Sequence, residues 1–174
     1  MARSDQLLHV MAAAVRAGGG IQSTAELAVM MGVPCDPSFR KFLADNVKAG
    51  RLRRLVRGYY ESVLTPPDPY VAIYQLVRKL RRGFLTYVSL ESQLSDTGEI
   101  SQIIMGHVTL MTRGRAGCFE TPYGVLELTH TKKPIARIMP NLYFDPDIRM
   151  YRANPEQAIE DLKACRRNLH MLER

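Results

Sequence analysis

The side chains able to do chemistry are four histidines (His9, His107, His130 and His170), three cysteines (Cys35, Cys118 and Cys165) and scattered carboxylates. Their spacing excludes more than it offers. The histidines form no HxH or HExxH group and stand beside no paired cysteines. No CxxC pair exists, so a zinc ribbon or a thioredoxin-like dithiol is excluded on spacing. An odd set of distant cysteines reads as reduced thiols of a cytoplasmic protein. Glu91, Glu120 and Glu127 are the carboxylates an acid–base pair would draw on, and His107 and His130 bound two predicted strands, but no partner motif accompanies them. Gly114-Arg115-Ala116-Gly117 lacks the GK[ST] ending of a phosphate loop and opens no helix, so it reads as a turn flanked by exposed Arg113 and Arg115. Cys118 has no base beside it in sequence and reads as a packed thiol. The expectation is a protein with no catalytic residues, no metal and no cofactor.

Basic side chains are the stronger signal. The chain of 174 residues carries 24 Lys+Arg against 17 Asp+Glu, a net charge of +7. Residues 1–83 hold 13 basic and 6 acidic side chains, while residues 84–174 hold 11 of each. Within the first half, residues 36–57 hold seven cations and two anions. A local excess of this kind is the footprint of a polyanion partner beside a neutral module with another task. At 46% hydrophobic and 24% charged, the chain can bury a core and is not expected to be disordered. Its apolar runs fall well short of the ~18 residues of a membrane span, and no secretory signal is expected at the N-terminus.

The elements that must position these cations follow from periodicity and punctuation. Leu7, Leu8, Met11 and Val15 predict a helix over 4–17, ended by the glycines at 18–20. Ser23 with Glu26 is a capping box for a second, short helix. Asp36-Pro37 starts a third helix, about 37–49. Phe39, Phe42, Leu43 and Val47 form its apolar face, and Ser38, Arg40, Lys41, Asp45, Asn46 and Lys48 its polar face. RLRRLVRGYYES (51–62) predicts a hairpin turning at Arg57-Gly58. Three helices followed by a basic hairpin is the order of a winged helix-turn-helix, whose third helix enters the DNA major groove. The DNA-binding residues expected on this basis are Ser38, Arg40, Lys41, Asn46, Lys48, Arg51, Arg53, Arg54 and Arg57. Proline-rich TPPDPY (65–70) marks a linker, followed by an amphipathic helix over 69–82. In the second half a short helix is predicted at 89–94 and strands at 107–113 and 124–130. Weaker strand signals fall at 118–121, 141–144 and 148–151. Asn154-Pro155 opens a final helix through Ile159, Leu162, Leu169 and Leu172.

Three segments also resemble a known family. STAELAVMMGV through GRLRRLVRGYY carries a wing of the form G-x-L-x-R-L-x-R-G-x-Y, on Gly50, Leu52, Arg54, Leu55, Arg57, Gly58 and Tyr60. YVSLESQLSDTGEIS (87–101) and HVTLMTRGRAGCFETPYGVLELTHT (107–131) follow in order. Together they resemble the AbiEi antitoxins of type IV toxin–antitoxin systems. Gln93, Glu99 and Phe119 depart from the usual pattern. The resemblance implies a bacterial antitoxin that represses its own operon through operator repeats and counters a nucleotidyltransferase-like toxin.

The expected architecture is therefore α/β (α+β). It comprises a winged helix-turn-helix over 1–65, a linker helix over 66–83 and a small mixed α/β domain over 84–174. The expected partner is double-stranded DNA, bound as a monomer or a dimer, with a cognate toxin as functional partner and no membrane. An RNA-binding or toxin-binding adaptor without an operator is the alternative, because fold does not fix function. An enzyme acting on nucleic acid would need a cleft gathering Glu91, His107 and Glu127.

Overall fold

Side-chain caps set the starts of the second and third helices. The computed structural model describes residues 2–100 and 106–167. Helix α1 spans Arg3–Arg16 and is followed by a short strand β1, Ile21–Ser23. Ser23 then caps α2, Thr24–Met30: its hydroxyl accepts from the Glu26 N–H at 3.2 Å, and the Glu26 carboxylate accepts from the Ser23 N–H at 2.8 Å. Asp36 caps α3, Pro37–Lys48, by accepting from the Phe39 N–H at 2.7 Å, and Pro37 occupies the first helical position, where no N–H is needed. Strands β2, Leu52–Val56, and β3, Tyr59–Ser62, form a hairpin, and the sheet order is β1-β3-β2 with both pairings antiparallel.

The apolar faces of these elements meet in one core of Leu7, Met11, Leu27, Phe39, Leu43, Leu52 and Tyr60. Each fully buried large side chain there is worth roughly 1.5–3 kcal/mol. Helix α4, Pro69–Leu80, buries Ala72, Ile73, Leu76 and Val77. The chain divides between Lys79 and Leu80, so nearly all of α4 lies with the first unit. The helix expected over 66–83 is observed as α4, Pro69–Leu80. Its Lys79 ammonium bonds the Gln22 and Glu26 side chains, at 3.1 and 2.7 Å, and its Lys79 carbonyl accepts from the Tyr59 hydroxyl at 3.4 Å.

The second unit is a six-stranded mixed sheet with helices packed on it. Its strands are β4 Thr86–Val88, β5 His107–Thr112, β6 Gly117–Thr121, β7 Gly124–His130, β8 Leu142–Asp145 and β9 Met150–Ala153. Their order is β6-β7-β5-β4-β9-β8. Helices α5, Leu90–Asp96, and α7, Pro155–Ala164, share a core with Tyr87, Met111, Ile138 and Ala153. A short α6, Ile135–Ile138, precedes β8. The pairings β5–β7 and β4–β9 are parallel and the others antiparallel. Strand β4 has no sequence signature of its own: all three of its residues are buried, so no alternation marks it. Asn154 caps α7 by accepting from the Gln157 N–H at 2.8 Å. Leu169, His170 and Leu172 of the expected final helix lie outside the described residues.

The chain is a mixed α+β protein, with seven α-helices and two sheets among the described residues. No helix among them is long and apolar enough to cross a membrane.

Candidate nucleic-acid interface

Alternation along β2 decides where its arginines go. Successive side chains of a strand point to opposite faces. Leu52 points into the core beside α3, so Arg54 shares its side and Arg53 takes the other. Arg53 pairs across the hairpin with Glu61, whose side chain is fully buried, and its Nε donates to the carboxylate at 2.6 Å. Arg54 instead lines a hollow with Arg40 of α3 and Arg57 at the hairpin turn. Among the described residues these three guanidinium groups have no acidic partner.

This first hollow measures about 620 Å³ and is also lined by Thr24, Ala25, Cys35, Gly58 and Tyr60. The hairpin tip is tied to the start of α2, because the Gly58 carbonyl accepts from the Thr24 N–H at 2.9 Å. Gly58 closes the turn at φ 83°, a conformation that favours glycine. A second hollow of about 230 Å³ lies against Ala44, Val47, Lys48, Arg54 and Tyr60. Arg54 borders both, and neither Ala44 nor Tyr60 stood out in sequence as a candidate site residue.

The polar face of α3 splits into two stripes. Arg40, Ala44 and Lys48, at four-residue spacing, line the hollows beside the hairpin. Ser38, Lys41 and Asp45 form the other stripe, and there the Lys41 charge is met by Asp45 at 3.1 Å. Asn46 was expected on the polar face but is only 2% exposed. Its amide donates to the Phe42 carbonyl at 2.9 Å, a local bond to the previous turn that pulls the side chain inward. Arg51 and Lys48 are exposed at the end of the helix and the start of the hairpin. The structure therefore gathers Arg40, Lys48, Arg54 and Arg57, and places Asn46 and Arg53 in internal contacts.

Behind this surface, Glu26 holds the start of α2 to α4. Burial pushes its carboxyl up, but hydrogen bonds from Lys79 and Ser23 and the Lys79 charge outweigh it and bring the pKa down to about 2.

The second unit assembles Glu91, Glu127 and His107, through Arg167. The Arg167 guanidinium donates to Glu91 at 3.0 Å and to both oxygens of Glu127, and His107 lies 3.1 Å from Glu127. Burial raises the Glu127 carboxyl, yet the bonds and charges of Arg167 and His107 leave it below its ordinary value. Both carboxylates are ion-paired with Arg167, so these side chains form an ion-pair cluster. His107 and His130 do not meet: β5 and β7 run parallel, which puts them at opposite ends of the pair. Arg113, expected to be exposed, is half-buried and donates to the Thr131 and Lys133 carbonyls at 3.2 and 3.0 Å. Among the described residues no group of His, Cys, Asp and Glu could hold a metal ion.

The YVSLES segment is likewise consumed by packing. Tyr87 and Ser89 donate to the buried Asp161 at 2.9 and 2.8 Å, Glu91 accepts from Arg167, and the Ser92 hydroxyl accepts from the Thr109 N–H at 2.8 Å. Burial pushes the Asp161 carboxyl up despite the bonds it accepts, and burial beside Asp161 pushes the Tyr87 hydroxyl up.

No family model and no curated protein matches the chain. A solved structure does: that of the RV2827C protein from Mycobacterium tuberculosis, at a TM-score of 0.56 and 16% sequence identity. The fold is shared. The match covers 91% of this chain and 59% of that one, so this chain spans under two thirds of that protein's length. At this identity the likeness is one of fold and does not bear on the antitoxin resemblance of the sequence.

Proposed function

We propose that the first unit is a winged helix-turn-helix binding double-stranded DNA, and that the protein is a repressor and antitoxin of a bacterial toxin–antitoxin operon, akin to the AbiEi family. The observation that carries the DNA reading is the gathering of Arg40, Arg54 and Arg57, without acidic partners among the described residues, on the hollow between α3 and the hairpin. Element order supports it too, since α2 and α3 precede an antiparallel hairpin whose third sheet partner is the short β1. In this reading Ser38, in the first turn of α3, approaches base edges, and Arg40 joins the phosphate contacts beside the hairpin. Lys48, Arg51, Arg54 and Arg57 meet phosphates. Arg53 and Asn46 support the scaffold through Glu61 and the Phe42 carbonyl.

The antitoxin role, the nucleotidyltransferase-like toxin as its target and action in the cytoplasm rest on the sequence resemblance. The test of the DNA reading is fluorescence anisotropy with the upstream region of the protein's own operon. Scrambled duplex and structured RNA serve as competitors at matched salt. Preference for the upstream duplex supports a repressor, and preference for RNA supports the adaptor alternative. Co-expression with the neighbouring gene tests the antitoxin role: rescue of growth supports it, and unrelieved toxicity sinks it.

A further inference from the structure

We propose that the hollow beside Ala44 takes the 5-methyl group of a thymine in the bound duplex, next to a phosphate held by Arg40, Arg54 and Arg57. The proposal rests on the DNA-binding reading and adds the chemistry of the base. Two unlike hollows meet at Arg54. The larger gathers the three arginines and so suits an anion. The smaller is walled by the Ala44 methyl, the Val47 side chain and the Tyr60 ring, with Lys48 and Arg54 supplying the cations.

Ala44 is exposed on α3, one turn from Arg40 and one turn from Lys48. A bare phosphate gains nothing from methyl walls that offer no donor. A ligand apolar at one edge and anionic one step away satisfies both hollows together. Among base edges in the major groove the thymine methyl is the apolar one, and alanine is a residue that packs on it. A cytosine edge there would turn its amino donor toward two cations, which disfavours it.

The experiment uses the full chain and the tightest duplex it selects from a random pool. Each thymine is replaced singly by deoxyuridine, which removes only the 5-methyl. The expected result is a loss of about four-fold at one thymine per bound protomer, the worth of one buried methyl group, and none elsewhere. Ala44→Gly and Ala44→Ser should bind the thymine duplex and its deoxyuridine counterpart alike, both at about the four-fold weaker level of wild type on deoxyuridine. Insensitivity to deoxyuridine at every position, with sequence-specific binding intact, overturns the methyl proposal alone. An unchanged thymine effect in both variants does the same. Absence of any duplex selection overturns the DNA reading, and the methyl proposal falls with it.

Discussion

Arg53 and Glu61 face each other across β2 and β3, and the buried Glu61 carboxylate takes its charge compensation from the Arg53 guanidinium. The adjacent Arg54 has no such tie and opens onto the α3 side of the hairpin. Two neighbouring arginines of one strand thus do different work, and variants separate them.

Arg53→Ala is expected to lower stability by about 2 kcal/mol. It removes the Arg53 bond to the buried Glu61 carboxylate, and the 45% exposure of Arg53 moderates the cost. Urea unfolding measures this. Arg53→Met combined with Glu61→Leu should recover most of the loss, because the buried carboxylate is gone. A single variant as stable as wild type contradicts the pairing.

Arg54→Ala should leave the unfolding midpoint within about 0.5 kcal/mol of wild type, since the residue is exposed. Its effect falls on DNA affinity. Arg40→Ala, Arg54→Ala and Arg57→Ala should each weaken binding, and the three together should reduce the slope of log K against log salt by about 0.9, the one phosphate they share. Titrations at several salt concentrations read this directly, and a slope untouched by all three removes the hollow from the interface.

Glu26 supplies an acid-sensitive clamp. Its folded-state pKa of about 2 lies below the ordinary 4.5, so its contribution is present above the ordinary value and lost as pH falls toward 2. Lys79→Met should cost about 1–2 kcal/mol at neutral pH, and the gap from wild type should close on acidification. Unfolding midpoints followed from neutral to acid pH test it. A gap independent of pH would assign the loss to packing.

Asp161 has the opposite sign. Its carboxyl is raised in the folded protein, so the folded state holds the proton more readily than the unfolded chain. Its contribution is greatest below the ordinary aspartate value and declines as pH rises through the folded-state value. Asp161→Asn should lose about 1 kcal/mol at low pH, because an amide has a single accepting oxygen where Asp161 accepts from Gln157 on one oxygen and from Tyr87 and Ser89 on the other. The difference from wild type should shrink as pH rises, and a difference that grows instead refutes the assignment.

Gly124→Ala should destabilise by more than about 1 kcal/mol. Its φ is +115°, and an added Cβ would lie 2.4 Å from the Gly106 carbonyl oxygen. Thermal unfolding checks this, with an ordinary midpoint counting against the tight turn after Tyr123.

Local chemistry was legible in the sequence by itself. The Ser23–Glu26 box, the Asp36-Pro37 and Asn154-Pro155 starts and the hairpin turn at Arg57-Gly58 act through neighbours three or four residues away, so residue type and spacing determine them. The clustering of positive charge on 36–57 was equally plain. Tertiary structure alone decided which of those charges are available. Asn46 turns to the Phe42 carbonyl, and Arg53 meets a carboxylate eight residues away across a hairpin. It alone placed β4 between β5 and β9, and kept His107 from His130 through the parallel β5–β7 pairing, by long-range pairings that no local pattern encodes. It also brought Glu91, Glu127 and His107 to Arg167, up to 76 residues distant. A cap is a property of a few adjacent residues. A free arginine is a property of everything that folds around it.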